Sequence, residues 1–239
     1  MTKRYDQATN NIFKPACNTP VKHSIYLIRH GDVDVKPGTC YGQLDCDLSS
    51  SFDDDLLKLA EYFKFNLFAK TDGNEKVEAP FIISSPLIRC VKLAKGLKKY
   101  LDRSSQKQTK LQINDAFKEI NFGQWEGESW QNIGQTQIQD WNNNLLDYTF
   151  PNGESARSFD LRIIDAWNVL QDQLAEQQTA QTVIIICHAG VIRSILCDFL
   201  QIPLQHSLSL NIDKMSLSCL NLVSTQAELS RCTGVNLSL

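Results

Sequence analysis

The sequence is poor in everything that would staple, anchor or extend it. Its eight cysteines include no pair at CxxC spacing, and a chain of this length has no need of a disulfide framework. Cys187 and Cys219 fall inside apolar runs, where free cysteine acts as a small hydrophobe, so the expectation is a reduced, cytoplasmic protein. Met1 to Thr19 contain no apolar h-region, which argues against a secretory signal. The longest unbroken apolar run is Val183 to Cys187, far short of a membrane span. Positive charge is not in excess: 24 Lys and Arg stand against 27 Asp and Glu, net −3. No basic stripe is present to hold nucleic acid or a membrane surface. Lys92, Lys95, Lys98 and Lys99 do cluster, as the solvated face of a helix. Internal repeats, low-complexity segments and dense carboxylate clusters are all missing, so neither a metal nor a cofactor is expected.

What remains is ordinary globular material, 42% hydrophobic and 21% charged. Residues 1–22 are polar and aperiodic, with Pro15 and Pro20, and read as a poorly ordered N-terminal arm. Residues 23–225 read as one domain, and 226–239 as a polar C-terminal tail. Ile25 to Ile28 form a short buried strand that runs into Arg29, His30 and Gly31, the glycine permitting a sharp turn. Asp53, Asp54 and Asp55 favour a helix N-terminus, and Phe52, Leu56, Leu59, Ala60 and Phe63 recur at helical spacing. That helix should end before the loop around Asp72-Gly73-Asn74. Phe81 to Ile83 make a second strand. Pro86 suits a first helical turn, opening a helix with Ile88, Val91, Leu93, Leu97 and Leu101. Leu111 and Ile113 suggest a third strand, and Phe117 to Glu128 an irregular stretch. Trp130, Ile133 and Ile138 suit a short helix, and residues 156 to 177 a long amphipathic one. Val183 to Cys187 is the clearest strand; the helix after it stops before Pro203, and a β-like segment spans Ser216 to Val223. Strands alternating with helices indicate an α/β fold, a three-layer sandwich with a mostly parallel central sheet.

The chain has only four histidines, and two occupy matching places. His30 follows the strand Tyr26-Leu27-Ile28-Arg29, and His188 follows Ile184-Ile185-Ile186-Cys187. If those strands are neighbours in a parallel sheet, both imidazoles emerge at one edge, where α/β sheets bind ligands. Ser84-Ser85-Pro86-Leu87-Ile88-Arg89 puts an arginine near a helix N-terminus directly after another strand. Free N–H groups there attract anions, and Arg89 adds a permanently charged fork suited to phosphate. Each residue alone reads more readily as structure; together they describe a phosphate pocket. A proton donor could be Glu119, Glu126 or Glu128, since a carboxyl beside apolar rings is favoured in its protonated form. Trp125, Trp130, Trp141 and Tyr148 stand either as packing or as the walls of a pocket for an aromatic base.

Arg29-His30-Gly31, Ser84-Ser85-Pro86-Leu87-Ile88-Arg89, the Glu119 to Gly127 segment, Asn152-Gly153-Glu154-Ser155 and Cys187-His188-Ala189-Gly190 follow in an order that resembles the histidine phosphatase, or phosphoglycerate-mutase-like, superfamily. The resemblance covers roughly residues 24 to 223. It implies a phosphoglycerate mutase-like fold with His30 as the nucleophile that becomes phosphorylated. Arg29, Arg89 and His188 would hold the phosphoryl oxygens, and Glu119 would protonate the leaving oxygen and later activate water. The loop Gly38 to Asp45 and the run Phe122 to Gly127 look most like α-ribazole phosphatases, which act on α-ribazole 5′-phosphate or cobalamin 5′-phosphate in cobalamin assembly.

The pattern also bends. Many members continue Arg-His-Gly-Glu-Thr and carry a phosphate-touching asparagine a few residues later. Here Asp32 and Val33 follow the glycine, and Lys36 stands at the asparagine's place. Lys36, Tyr41 and Gly42 are therefore expected in the substrate loop, with Lys36 adding charge. The mutases' Glu-Arg-His-Tyr-Gly-like acid segment is absent, which disfavours a mutase. The expected partner is a small-molecule phosphomonoester substrate, with no nucleic acid and no membrane. A sugar-phosphate phosphatase and a non-catalytic binding module are the rival readings; oligomeric state is not encoded in any of these signals.

Overall fold

The computed structural model describes residues 20–68, 79–104, 108–224 and 226–239. Residues 1–19 of the expected arm, Cys17 among them, and the loop around Asp72-Gly73-Asn74 lie outside these. A six-stranded sheet organises the rest, with β1 (Lys22–Arg29), β2 (Phe81–Ser84), β3 (Lys110–Ile113), β4 (Thr182–Cys187), β5 (Leu217–Val223) and β6 (Arg231–Leu237) in the order β3-β2-β4-β1-β5-β6. The four strands β3, β2, β4 and β1 are mutually parallel, β5 is antiparallel to β1, and β6 to β5. The sheet is mostly parallel and helices cover both faces, so the three-layer α/β expectation holds.

Side chains alternate across the strands and so build two cores. Ile25, Leu27, Val183 and Ile185 point to one face, against Phe159, Ile163 and Trp167 of α4 (Ala156–Ala175) and Val191, Ile192 and Ile195 of α5 (Ala189–Leu200). Ile28, Ile82, Ile184 and Ile186 point to the other, against Leu59 and Phe63 of α1 (Phe52–Phe68) and Leu93, Leu97 and Leu101 of α2 (Ile88–Ser104). Strands buried on both faces read as continuous apolar runs, which is why β4 is so plain in the sequence. Each fully buried Leu, Ile or Phe contributes about 1.5–3 kcal/mol, enough in sum to hold the strand ends rigid.

Several local expectations shift. The segment 226–239, expected as a polar tail, carries the edge strand β6, and Lys22, placed in the arm, opens β1. The short helix is α3 (Gln135–Asn143); Trp130 and Ile133 precede it in turns. They join a third, small core of Cys40, Trp125, Ile133 and Phe150, ringed by Phe122, Trp130, Trp141 and Tyr148. That core is pinned where Gly123 passes over the Pro151–Gly153 turn. Gly123 has φ +55, and an added Cβ would sit 2.1 Å from the Pro151 carbonyl oxygen, so only glycine fits.

Candidate active site

Parallel pairing of β1 with β4 puts Arg29 opposite Cys187. The ladder continues one step further, His30 N–H donating to the Cys187 carbonyl at 3.1 Å. His30 and His188 therefore leave the sheet side by side, their ring centroids 5.1 Å apart. Both are buried. His30 Nδ1 lies 2.7 Å from the Gly31 carbonyl oxygen, which can only accept, so a neutral ring carries its proton on Nδ1. The lone pair then falls on Nε2, and the Arg89 Nε–H donates to it at 3.2 Å. Loss of solvent, and then the Arg89 guanidinium, hold the His30 pKa well below the ordinary imidazole value, against the opposing bond to Gly31. Burial likewise lowers His188, with His30, Arg89 and Arg29 adding to the effect. Ser85 Oγ sits 2.7 Å from His188 Nε2, while Nδ1 lies 4.0 Å from Cys90 Sγ.

The two arginines are held by backbone carbonyls. Arg89, in the first turn of α2, is fully buried and donates to the carbonyls of Leu44 and Gly42 at 2.9 and 2.6 Å. Its guanidinium carbon lies 5.2 Å from the Tyr41 ring centre, and that ring also meets His30 edge-on at 6.4 Å. Tyr41 and Gly42 thus belong to the cluster. Arg29 donates from Nη1 to the Ile212 carbonyl at 2.6 Å, whereas its buried Nε has no partner among the described residues. Lys36 is not brought in. It is exposed, and among the described residues its ammonium makes no hydrogen bond or ion pair. The loop before β5 brings Lys214 to this end of the sheet instead: it pairs with Asp32, and the next residue, Met215, donates its N–H to the His30 carbonyl at 3.4 Å. Spacing from His30 could not reveal Lys214, because tertiary folding alone brings that loop under Asp32.

Of the three glutamates, Glu119 stands at the histidines. Its Oε2 accepts from Gly190 N–H at 3.2 Å, in the first turn of α5, and its Oε1 accepts from Ile120 N–H at 3.0 Å. Negative charge is favoured at a helix N-terminus. Gly190 is required for the approach, since a Cβ there would lie 2.3 Å from Glu119 Oε1 and 3.0 Å from the Phe159 ring. Glu126 is committed elsewhere, accepting from the Gln43 and Phe122 N–H groups at 2.8 and 3.0 Å. Glu128 is exposed. Arg162 of α4 clamps the Glu119 segment, donating to the carbonyls of Ala116, Lys118 and Glu119 at 2.6, 2.9 and 3.0 Å. It also grips both carboxylate oxygens of Glu154 at 2.7 and 3.1 Å, and Glu154 in turn accepts from Asn121 N–H at 2.8 Å. Sequence reasoning missed Arg162. The available signal was its place one residue before the buried Ile163, where an arginine on an amphipathic helix wants buried acceptors. No group of three or more His, Cys, Asp or Glu side chains able to hold a metal ion occurs among the described residues.

The family model of the histidine phosphatase superfamily (branch 1) matches residues 25–233. The chain belongs to this superfamily. One curated relative, "Putative phosphoserine phosphatase 2" of Hydrogenobacter thermophilus, is 24% identical over 198 residues, 81% of this chain and 87% of the relative. Among solved structures, a mycobacterial glucosyl-3-phosphoglycerate phosphatase superposes with TM-score 0.72 at 19% identity, covering 91% of this chain and 100% of that one. An Escherichia coli protein described as a putative α-ribazole-5′-P phosphatase gives 0.68 at 18%, covering 90% and 96%. At such identities the superpositions speak for the fold, which is phosphoglycerate mutase-like.

This histidine phosphatase also has a cavity of about 230 Å³ that shares Glu119 and Gly190 with the histidine cluster. Of the four aromatic candidates, Trp130 and Trp141 line it, stacked at 6.0 Å and 15°. Trp125 and Tyr148 instead pack edge-on or tilted around Phe150 in the small core.

Proposed function

We propose that this histidine phosphatase hydrolyses phosphomonoesters through a phosphohistidine on His30. In the first step His30 Nε2 forms a bond to phosphorus, the P–O ester bond breaks, and Glu119 gives its proton to the leaving alcohol. In the second, Glu119 takes a proton from water, the water oxygen bonds phosphorus, and the N–P bond breaks, releasing phosphate. Arg29, Arg89 and His188 hold the phosphoryl oxygens; positioning and charge stabilisation are what phosphoryl transfer needs most. The observation that carries this reading is the pair of bonds on His30: Gly31 oxygen fixes the proton on Nδ1, and Arg89 faces the Nε2 lone pair. A neutral imidazole so oriented is a competent nucleophile.

The substrate we propose is α-ribazole 5′-phosphate, or cobalamin 5′-phosphate, acted on in cobalamin nucleotide-loop assembly. The Gly38–Asp45 loop, the Phe122–Gly127 run and two stacked tryptophans beside Glu119 support it. A sugar-phosphate phosphatase is the second reading, favoured by the neighbour that acts on glucosyl-3-phosphoglycerate. A cytoplasmic location fits the seven cysteines that are free among the described residues, and no helix there is long and apolar enough to cross a membrane.

His30→Ala should abolish aryl phosphate hydrolysis while the far-ultraviolet spectrum stays native, and an alkaline detergent quench of the wild type should trap a phosphate on His30 that is stable in base and lost in acid. Substantial turnover by the variant would overturn the assignment. EDTA should leave the rate unchanged; activity lost to EDTA and restored by a divalent ion would point to another mechanism. For the substrate, kcat/KM for α-ribazole 5′-phosphate should exceed that for a panel of sugar phosphates and phosphoglycerates, and a flat profile would remove the name.

A further inference from the structure

The reacting cluster says where phosphorus sits; the adjoining cavity says what alcohol leaves. Because Glu119 lines both, an ester oxygen that takes its proton carries its organic group into this cavity. The walls met there include Ile120, Phe122, Trp130, Trp141, Phe159 and Leu208. Such a lining rewards flat apolar surface, and stacking against tryptophan adds to area burial. The volume, about 230 Å³, lies below the roughly 300–1,000 Å³ of drug-sized sites, so it suits one compact ring system and not an oligomer.

One cation enters these walls. Arg193 lies on α5, three residues beyond Gly190, and is half-buried. Its Nε donates to the Leu210 carbonyl at 2.9 Å, which fixes the plane of the fork. Among the described residues no protein acceptor bonds its two terminal nitrogens. Burial works against its charge, while Glu119 favours it and Arg29 opposes it. Those two nitrogens are not among the buried atoms left without a partner, so they face the open cavity and are free to bond an acceptor that a ligand brings. The same fork repels an ammonium, so an amino alcohol with no carboxylate fits poorly.

We propose that the cavity is a leaving-group subsite for a flat, apolar alcohol bearing a hydrogen-bond acceptor near the ester oxygen, and that Arg193 is the specificity-determining residue that reads that acceptor. The proposal rests on the phosphohistidine reading for the direction in which the alcohol leaves. The subsite can be tested without turnover.

Three probes serve: 2-naphthyl phosphate, its 3-carboxamide and O-phosphoethanolamine. On the His30→Ala protein, calorimetry should rank the carboxamide first, then 2-naphthyl phosphate, with phosphoethanolamine weakest. Adding Arg193→Met should cut the carboxamide's advantage over 2-naphthyl phosphate by roughly tenfold or more, the worth of a charge-assisted bond. Adding Trp141→Ala should weaken both naphthyl probes relative to inorganic phosphate. In the wild type the same Arg193→Met ratio should appear in KM more than in kcat. Equal losses on the two naphthyl probes would reduce Arg193 to a structural strut for Leu210 and overturn the proposal, as would tighter binding of phosphoethanolamine. Failure of the phosphohistidine reading looks different: no acid-labile phosphate forms in the wild type, while the binding order persists.

Discussion

The His30 ring is held at both nitrogens by groups that cannot exchange roles, a carbonyl that only accepts and a guanidinium that only donates. Its nucleophilic tautomer is thus set before substrate arrives. Because burial and Arg89 hold the pKa well below 6.5, the neutral form should persist through mildly acid solution. The acid limb of kcat/KM that belongs to His30 should accordingly fall well below pH 6.5; a limb centred at or above that value would contradict the environment described. Gly190 offers a second test at this scale. A methyl group there would press on Glu119 Oε1, so Gly190→Ala should lower kcat by about a hundredfold or more, the usual worth of a positioned acid–base group. Affinity for inorganic phosphate should change little. Identities at this scale were legible in part: Arg29, His30, Arg89 and His188 come together where the strand ends suggested, whereas three glutamates competed for the remaining place. Lys36 was not legible, because sequence nearness to His30 does not aim a side chain, and an exposed loop lysine gains most by staying hydrated.

The elements divide by how regular their patterns are. Strands β1, β2 and β4 are buried on both faces, so their apolar runs are unmistakable. Strand β6 breaks its alternation at Gly234 and pairs with β5 through register shifts, and an edge strand of that kind looks like a tail. Trp130 and Ile133 seemed to ride a helix because their spacing happens to suit one, while their burial comes from aromatic packing around Trp125. Segment 118–121 has no regular structure, and its shape is set by Arg162. Arg162→Met would leave the Ala116 and Lys118 carbonyls without this donor and strip its charge from Glu154 and the Glu119 carbonyl, which keep the Asn121 N–H and Gln43 Nε2. It should destabilise the protein by roughly 2–4 kcal/mol, between the cost of an unpaired polar group and that of half a buried ion pair. Urea denaturation reads that loss. The same variant should lower kcat for an aryl phosphate more than it raises KM, because Glu119 moves while Arg29 and Arg89 stay.

For the whole molecule, the buried histidines couple stability to pH. His30 and His188 have folded pKa values depressed below the unfolded value of 6.5. Above that value both states hold the rings neutral, and the stability is fully present. As pH falls through it, the unfolded chain takes up protons that the folded chain refuses. Stability is therefore lost on acidification, by up to roughly 1.4 kcal/mol per pH unit for each histidine, until the folded groups titrate. Urea midpoints at pH 8, 6.5 and 5.5 should be near level between the first two and drop at the third. A midpoint that rises on acidification would mean that the rings are charged in the folded state.

By itself the sequence determined the layer order, the two histidines at matching strand ends, the arginine at the start of α2 and the family to which these belong. It could do so because strand burial and helix periodicity are local patterns, and because phosphate chemistry draws on few residue types. Only the tertiary structure decided which glutamate meets the histidines, that Lys214 and not Lys36 stands near His30, and that Trp130 and Trp141 face a cavity while Trp125 and Tyr148 fill a core. Those choices depend on contacts between segments far apart in the chain, whose backbone carbonyls and packing space exist only once the sheet has closed.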